Sequence, residues 1–107
     1  MYRIGREEIE AVRRVIESRN LFKINDGACE VLTFEAELSE KLGVKHSILM
    51  TCGKAALISA LVGMGIGPGD EVILPAYTYI ATAIAVTAVG AIPVIADIDE
   101  SLTLDPA

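Results

Sequence analysis

The sequence predicts an α/β fold: a partial parallel sheet built through βαβ crossovers. Three observations carry this. From His46 onward, short apolar runs alternate with helix-like runs of about 11 to 13 residues, and short Gly/Pro turns join them. The expected strands "HSILM", "EVILP" and "PVIADID" are apolar throughout rather than alternating, as in sheets covered on both faces. The alternation itself is the signature of parallel strands joined by crossover helices.

Before this region, "REEIEAVRRVIES" (Arg6 to Ser18) sets Ile9, Val12 and Ile16 on one stripe among charges, which predicts an amphipathic helix. Its acids come early and its arginines late, which suits the helix dipole. "RNLFKINDGACE" has no period, and Asn25, Asp26 and Gly27 signal a turn. "VLTFEAELSEKLG" repeats the helical pattern through Val31, Phe34, Leu38 and Leu42, with Gly43 placed to end it. Then come "HSILM" (His46 to Met50) as a strand, "GKAALISALVGM" as a helix and "GIGPGD" as a turn. "EVILP" is a strand, "YTYIATAIAVTAV" a helix, "GAI" a turn and "PVIADID" a strand. The expected organisation is N-terminal helices over 1–43 and a βαβαβ segment over 44–107. At the end, "ESLTLDPA" reads as a lead-in to another element, because Asp105-Pro106 is a helix-start pair.

Composition narrows the function. The chain has 107 residues, about one small domain, yet it is 52% hydrophobic with a mean hydropathy of +0.49. Small domains bury a smaller share of their surface than large ones. So apolar a chain is therefore expected to form a homo-oligomer or to be the N-terminal part of a larger unit. The net charge of −6 argues against nucleic acid and against an anionic membrane surface. Cys29 and Cys52 show no CxxC spacing and no signal-peptide pattern precedes them, so a reducing cytoplasm is expected rather than a disulfide framework. The longest apolar stretch, "TAIAVTAVGAIPVIA", is broken by Gly90 and Pro93, so no membrane helix is expected. One histidine and scattered carboxylates give no metal constellation.

The corner "MTCGKAAL" (Met50 to Leu57) lies at the carboxyl end of an expected strand, where open α/β sheets bind ligands. Amides around Gly53, Lys54 and Ala55 open the next helix without intrahelical partners, and with the helix dipole they suit a phosphate. Gly53 permits close approach and Lys54 adds a point charge. The alternative is an ordinary strand-to-helix turn lined by small residues. A Walker loop is excluded: it needs glycine at Ile48 and Ser or Thr at Ala55. Nor does "GMGIGPGD" make a dinucleotide fingerprint, since it follows a helix. Cys52 is either a reactive thiol at a helix start or a structural cysteine, the second being favoured because His46 stands at the far end of the strand. In "PAYTYIAT", Tyr77 and Tyr79 follow a strand's carboxyl end. They either stack on a flat ligand or pack in a core or interface.

The stretch from "FEAELSEKLGVKHSILMTCGKAAL" through "GIGPGDEVILPAYTYIATA" to "GAIPVIADIDESLTLDP" resembles the N-terminal part of the DegT/DnrJ/EryC1/StrS family, and the resemblance covers nearly the whole chain. These are pyridoxal-phosphate-dependent aminotransferases, mostly of keto-sugars, with the type I, aspartate-aminotransferase-like fold. The resemblance implies that this chain is the N-terminal part of that fold's large domain. It implies that Cys52, Gly53, Lys54, Ala55, Ala56 and Leu57 stand where the family has Ser-Gly-Thr-Ala-Ala-Leu, whose helix amides hold the cofactor phosphate of pyridoxal 5'-phosphate. Tyr79 falls on the aromatic that stacks on the pyridine face. Lys54 replaces a threonine. The Schiff-base lysine and the aspartate facing the pyridine nitrogen lie beyond position 107 in the family, so no catalytic residue is assigned here and the chain alone is not expected to transaminate. Family members are dimers with shared sites, which implies that "RNLFKINDG" approaches a partner's site. The expected partners are a second copy or a complementary C-terminal polypeptide, with a small-molecule sugar substrate once assembled. The alternative function is a non-catalytic, self-associating or phosphate-ligand-binding module derived from the family. A flavodoxin-like phosphate binder has the right βα texture but does not account for the "GPGDEVILPAYTYIAT" match.

Overall fold

The computed structural model describes residues 4–23 and 29–106. The turn expected at Asn25, Asp26 and Gly27 lies outside the described residues. The chain divides into two compact units, Met1–Leu49 and Met50–Ala107.

The first unit holds helices α1 (Arg6–Ser18) and α2 (Glu30–Leu42). The amphipathic period places α1 where the sequence predicts it. Glu8 reaches back to accept from the Gly5 amide at 2.6 Å, satisfying one of the donors that every helix start leaves open. Its arginines do not serve the dipole as expected. Arg13 stands mid-helix between Glu10 and Glu17, at 2.9 and 3.3 Å, and the last turn holds no basic residue. Such exposed pairs contribute about 0.3–0.5 kcal/mol each. Ile9, Val12 and Ile16 are all exposed within this unit.

Cys29 caps α2, its sulfur accepting from the Leu32 amide at 3.4 Å. Gly43 ends the helix as predicted, at φ 66°, with its amide donating to Glu40 and the Val44 amide to Ser39. The expected stripe is only partly covered, since Phe34 and Leu42 are exposed. What is buried on α2 is a carboxylate, Glu35. Its Oε1 accepts from the Leu49 amide and from Lys23 Nζ, both at 2.6 Å. The Leu49 hydrogen bond first, and then Lys23, hold its pKa below the ordinary 4.5 against the opposing effect of burial. The pair is therefore fully formed at neutral pH and is lost as pH falls through that lowered value.

The expected strand His46–Met50 is not a strand. A strand exists through its ladder, and among the described residues no segment pairs with this one. One crossover is formed instead of two.

The second unit runs α3 (Gly53–Gly63), β1 (Glu71–Pro75), α4 (Ala81–Ala88) and β2 (Ile92–Ala96). The strands pair in parallel from Glu71↔Ile92 to Pro75↔Ala96, with α4 as the crossover. Leu74, Val86 and Ala91 form the core, flanked by Leu61, Ile66, Val72, Ala83 and Val89. The turn before β1 closes on Asp70, whose carboxylate accepts from the Gly67 amide at 2.9 Å. Gly90 ends α4 at φ 83°, and its missing Cβ would stand 3.0 Å from Pro68 Cγ. The crossover helix is shorter than expected: Ala76 to Thr78 form a bend, and the helix begins only at Ala81. β2 stops at Ala96 because Asp99 turns the chain, its carboxylate accepting from the Ser101 amide at 2.8 Å. The segment that follows carries an isolated antiparallel bridge, Ile98↔Leu104.

Candidate cofactor-phosphate corner

The α3 ladder begins where the Ala56 amide donates to the Cys52 carbonyl at 3.1 Å. The amides of Gly53, Lys54 and Ala55 therefore precede the ladder and stand at the positive end of an 11-residue helix. No acidic residue occupies this first turn to neutralise it. A Cβ at Gly53 would meet nothing within 4 Å, so the space beside the helix tip is open to a ligand.

Cys52 is the N-cap residue, in extended backbone, and its thiol is exposed. Its thiol is lowered from the ordinary 9.0, first by the Ala55 amide and further by the Lys54 amide, the Thr51 hydroxyl and the Lys54 ammonium, against desolvation. Cys52 is thus exposed at the helix tip rather than packed in this unit's core. The buried cysteine is Cys29.

A cleft of about 730 Å³ runs from this corner to the start of α4. That is within the roughly 300–1,000 Å³ of small-molecule sites. Cys52, Gly53, Lys54 and Tyr79 line it, together with apolar residues that include Leu57 and Ile84. Three of the four sequence-predicted residues, Gly53, Lys54 and Tyr79, thus share one cleft. Ala55 does not line it and contributes only its backbone position. Tyr79 is 79% exposed, so its ring is not packed in this unit's core. Tyr77 is also exposed and lies outside the cleft lining. Thr82 lines the cleft as well, with its hydroxyl 3.0 Å from that of Thr78. The sequence signal for this pair is the i, i+4 spacing of two threonines in "TYIAT", which carries meaning only once α4 starts at Ala81 rather than at Tyr77. Among the described residues no cluster of three or more His, Cys, Asp or Glu side chains is arranged to hold a metal ion.

The lining combines amides that precede the α3 ladder, a lysine, an exposed ring and apolar side chains, a set whose chemistry suits an anionic, flat ligand. The sequence profile of the DegT/DnrJ/EryC1/StrS aminotransferase family matches residues 2–107. The chain belongs to this family. Within it, the chain is 44% identical over 104 residues to the spore coat polysaccharide biosynthesis protein SpsC of Bacillus subtilis, covering 96% of this chain and 26% of SpsC. Among solved structures of similar proteins, 3-amino-5-hydroxybenzoic acid synthase superposes with a TM-score of 0.90 at 36% identity, over 97% of this chain and 27% of that one. NtdA of Bacillus subtilis, with bound cofactor PMP, superposes with a TM-score of 0.74 at 30% identity, over 96% of this chain and 26% of that one. The chain thus spans about a quarter of the length of the DegT/DnrJ/EryC1/StrS relatives it matches, and its α/β fold is the N-terminal part of theirs. No helix among the described residues is long and apolar enough to cross a membrane.

Proposed function

We propose that this chain is the N-terminal portion of a pyridoxal-phosphate-dependent aminotransferase acting on nucleotide-linked keto-sugars in the cytoplasm, and that it supplies the phosphate corner and the stacking ring of the cofactor site. The observation that carries this reading is that Gly53, Lys54 and Tyr79 line one cleft at the open start of α3. The amides of Gly53, Lys54 and Ala55 would hold the phosphate, with Lys54 adding a cation. Tyr79 would lie against the pyridine ring, and Leu57 and Ile84 would keep water from it. Bound there, pyridoxal 5'-phosphate supplies an electron sink for amino transfer. Nothing in this chain's own residues is assigned a proton transfer. Family membership supports the cofactor; the sugar is supported by relatives such as SpsC.

The same reading holds that these 107 residues do not transaminate alone and act with a second copy or a complementary C-terminal polypeptide. The test is cofactor absorbance and amino transfer, measured for this chain with and without the downstream part of a family aminotransferase. Cofactor bound and amino transfer present only in the combination is the expected result. A complete assembly that binds no cofactor overturns it. A second reading, a self-associating module without catalysis, is favoured by the exposed apolar residues Ile73, Ile92 and Ile95 on the two strands. It predicts association with no cofactor absorbance under any of these conditions.

A further inference from the structure

Within the first unit two short segments flank α2, residues 21–23 before it and residues 44–49 after it. Burial holds neither of them. Leu21, Phe22 and Lys23 are exposed, and of residues 44–49 only Ser47 is half-buried. Neither segment lies in a helix or a strand. The Val44 amide closes the end of α2 on the Ser39 carbonyl. Beyond it, among the described residues, what ties 45–49 to the unit is the hydrogen bond from the Leu49 amide to Glu35 Oε1. What ties 21–23 is the hydrogen bond from Lys23 Nζ to the same oxygen. Each is 2.6 Å long, and the Glu35 side chain that receives them is 11% exposed. Packing alone does not ask for a carboxylate there, since a buried ion pair is often no more stabilising than an apolar side chain of similar volume.

We propose that Glu35 is a latch: a single carboxylate oxygen on α2 holds the segment before the helix and the segment after it, so that loss of its charge frees both together. The coupling follows from the sharing. Once one donor leaves, the buried carboxylate is less well paired and binds a proton more readily. Protonation then ends the ion pair with Lys23 and leaves the Leu49 amide a neutral acceptor, roughly half as strong. Lys23 is the charged group that faces the latch; Lys45 and His46, on the segment after α2, do not enter the lowering of its pKa. The folded pKa lies below the ordinary 4.5, so the latch is closed at neutral pH and opens as pH falls through that lowered value. The device lies wholly within the first unit and stands independently of the cofactor reading.

The experiment follows the wild-type chain, Glu35→Gln and Lys23→Met as pH is lowered from neutral. It reads backbone amide relaxation by NMR at residues 21–23 and 45–49, and hydrogen-exchange protection at the Leu49 amide. In the wild type both segments should gain fast motion at one shared midpoint below 4.5, while the amides of α2 stay protected. Leu49 protection should fall about tenfold across that midpoint, the weakening of one charge-assisted hydrogen bond. Glu35→Gln has no carboxylate to titrate but keeps an acceptor oxygen. It should leave residues 21–23 mobile at every pH, retain most of the Leu49 protection and show no midpoint. Lys23→Met removes one of the interactions that lower the pKa, so residues 45–49 should loosen at a higher pH than in the wild type. Should Glu35→Gln fail to fold, the Lys23→Met midpoint decides alone. Separate midpoints for the two segments, Leu49 protection that survives the transition, or a Lys23→Met midpoint equal to the wild type's overturns the latch. So does melting of α2 at the same midpoint, which would make Glu35 a stabilising residue only.

Discussion

At the residue scale, the corner is defined by what is missing. Gly53 leaves open the space where a side chain would stand, and three amides precede the α3 ladder. Gly53→Asp should therefore separate binding from folding. It places a carboxylate where the helix dipole favours one, stabilising the helix by about 0.5 kcal/mol, yet it occupies and repels the phosphate position. Affinity for pyridoxine 5'-phosphate should fall at least about tenfold, while the urea midpoint holds or rises. Lys54→Ala should cost about fivefold, near the ~1 kcal/mol of one ion contact in water, and should reduce the salt dependence. Cys52 reports the same field in another way. Its folded-state pKa lies below the ordinary 9.0, so thiolate persists to lower pH than in the unfolded chain. Alkylation of Cys52 should therefore have a midpoint below that of a free thiol, lost in urea, with Cys29 protected by burial until unfolding.

At the element scale, two glycines end helices for one shared reason and one separate one. Gly43 and Gly90 both have positive φ, 66° and 83°, which L side chains adopt at a cost of about 1 kcal/mol. Around Gly43 a Cβ would meet nothing, whereas at Gly90 it would press on Pro68 Cγ at 3.0 Å. Gly43→Ala should cost about 1 kcal/mol in urea denaturation, and Gly90→Ala clearly more. Equal losses would mean that the Pro68 contact relaxes freely. The same contrast explains what the sequence made legible. Helices α1, α2 and α3 and strand β1 were readable because apolar period and Gly or Pro boundaries coincide there. α4 starts at Ala81 rather than at Tyr77 because "YTYI" has helix-compatible spacing but follows Pro75 on a bend. The run His46–Met50 is apolar like a strand, yet a strand's existence depends on a partner that no local pattern can supply. The burial of Glu35 is not legible in the sequence for a related reason: a glutamate on an apolar stripe looks like a solvated one until its partners, Lys23 and the Leu49 amide, are located in space.

At the scale of the whole molecule, apolarity exceeds what the chain covers. Ile9, Val12 and Ile16 on α1, and Ile73 and Ile95 on the sheet, are each more than half exposed. The self-associating reading takes these residues as its docking surface. Sedimentation of the isolated chain over a concentration series should show self-association, suppressed by Ile73→Lys with Ile95→Lys. A monomer at every concentration would contradict this. The candidate site was legible on the same terms. Gly53 and Lys54 are legible as a small-residue corner that opens a helix and Tyr79 through the family resemblance, and one cleft is lined by all three. Thr82 and the exposed thiol of Cys52 needed coordinates, because one depends on where α4 begins and the other on which way a cap residue faces.

The cofactor account is tested most directly by following backbone amide shifts of this chain as pyridoxine 5'-phosphate is added. That ligand carries the phosphate and the ring but no aldehyde to react with lysines elsewhere. Shifts concentrated at the amides of Gly53, Lys54 and Ala55, joined by the Tyr79 ring and absent with unphosphorylated pyridoxine, are the predicted result. Saturating ligand that leaves those amides unmoved, or moves them equally without its phosphate, would contradict the account.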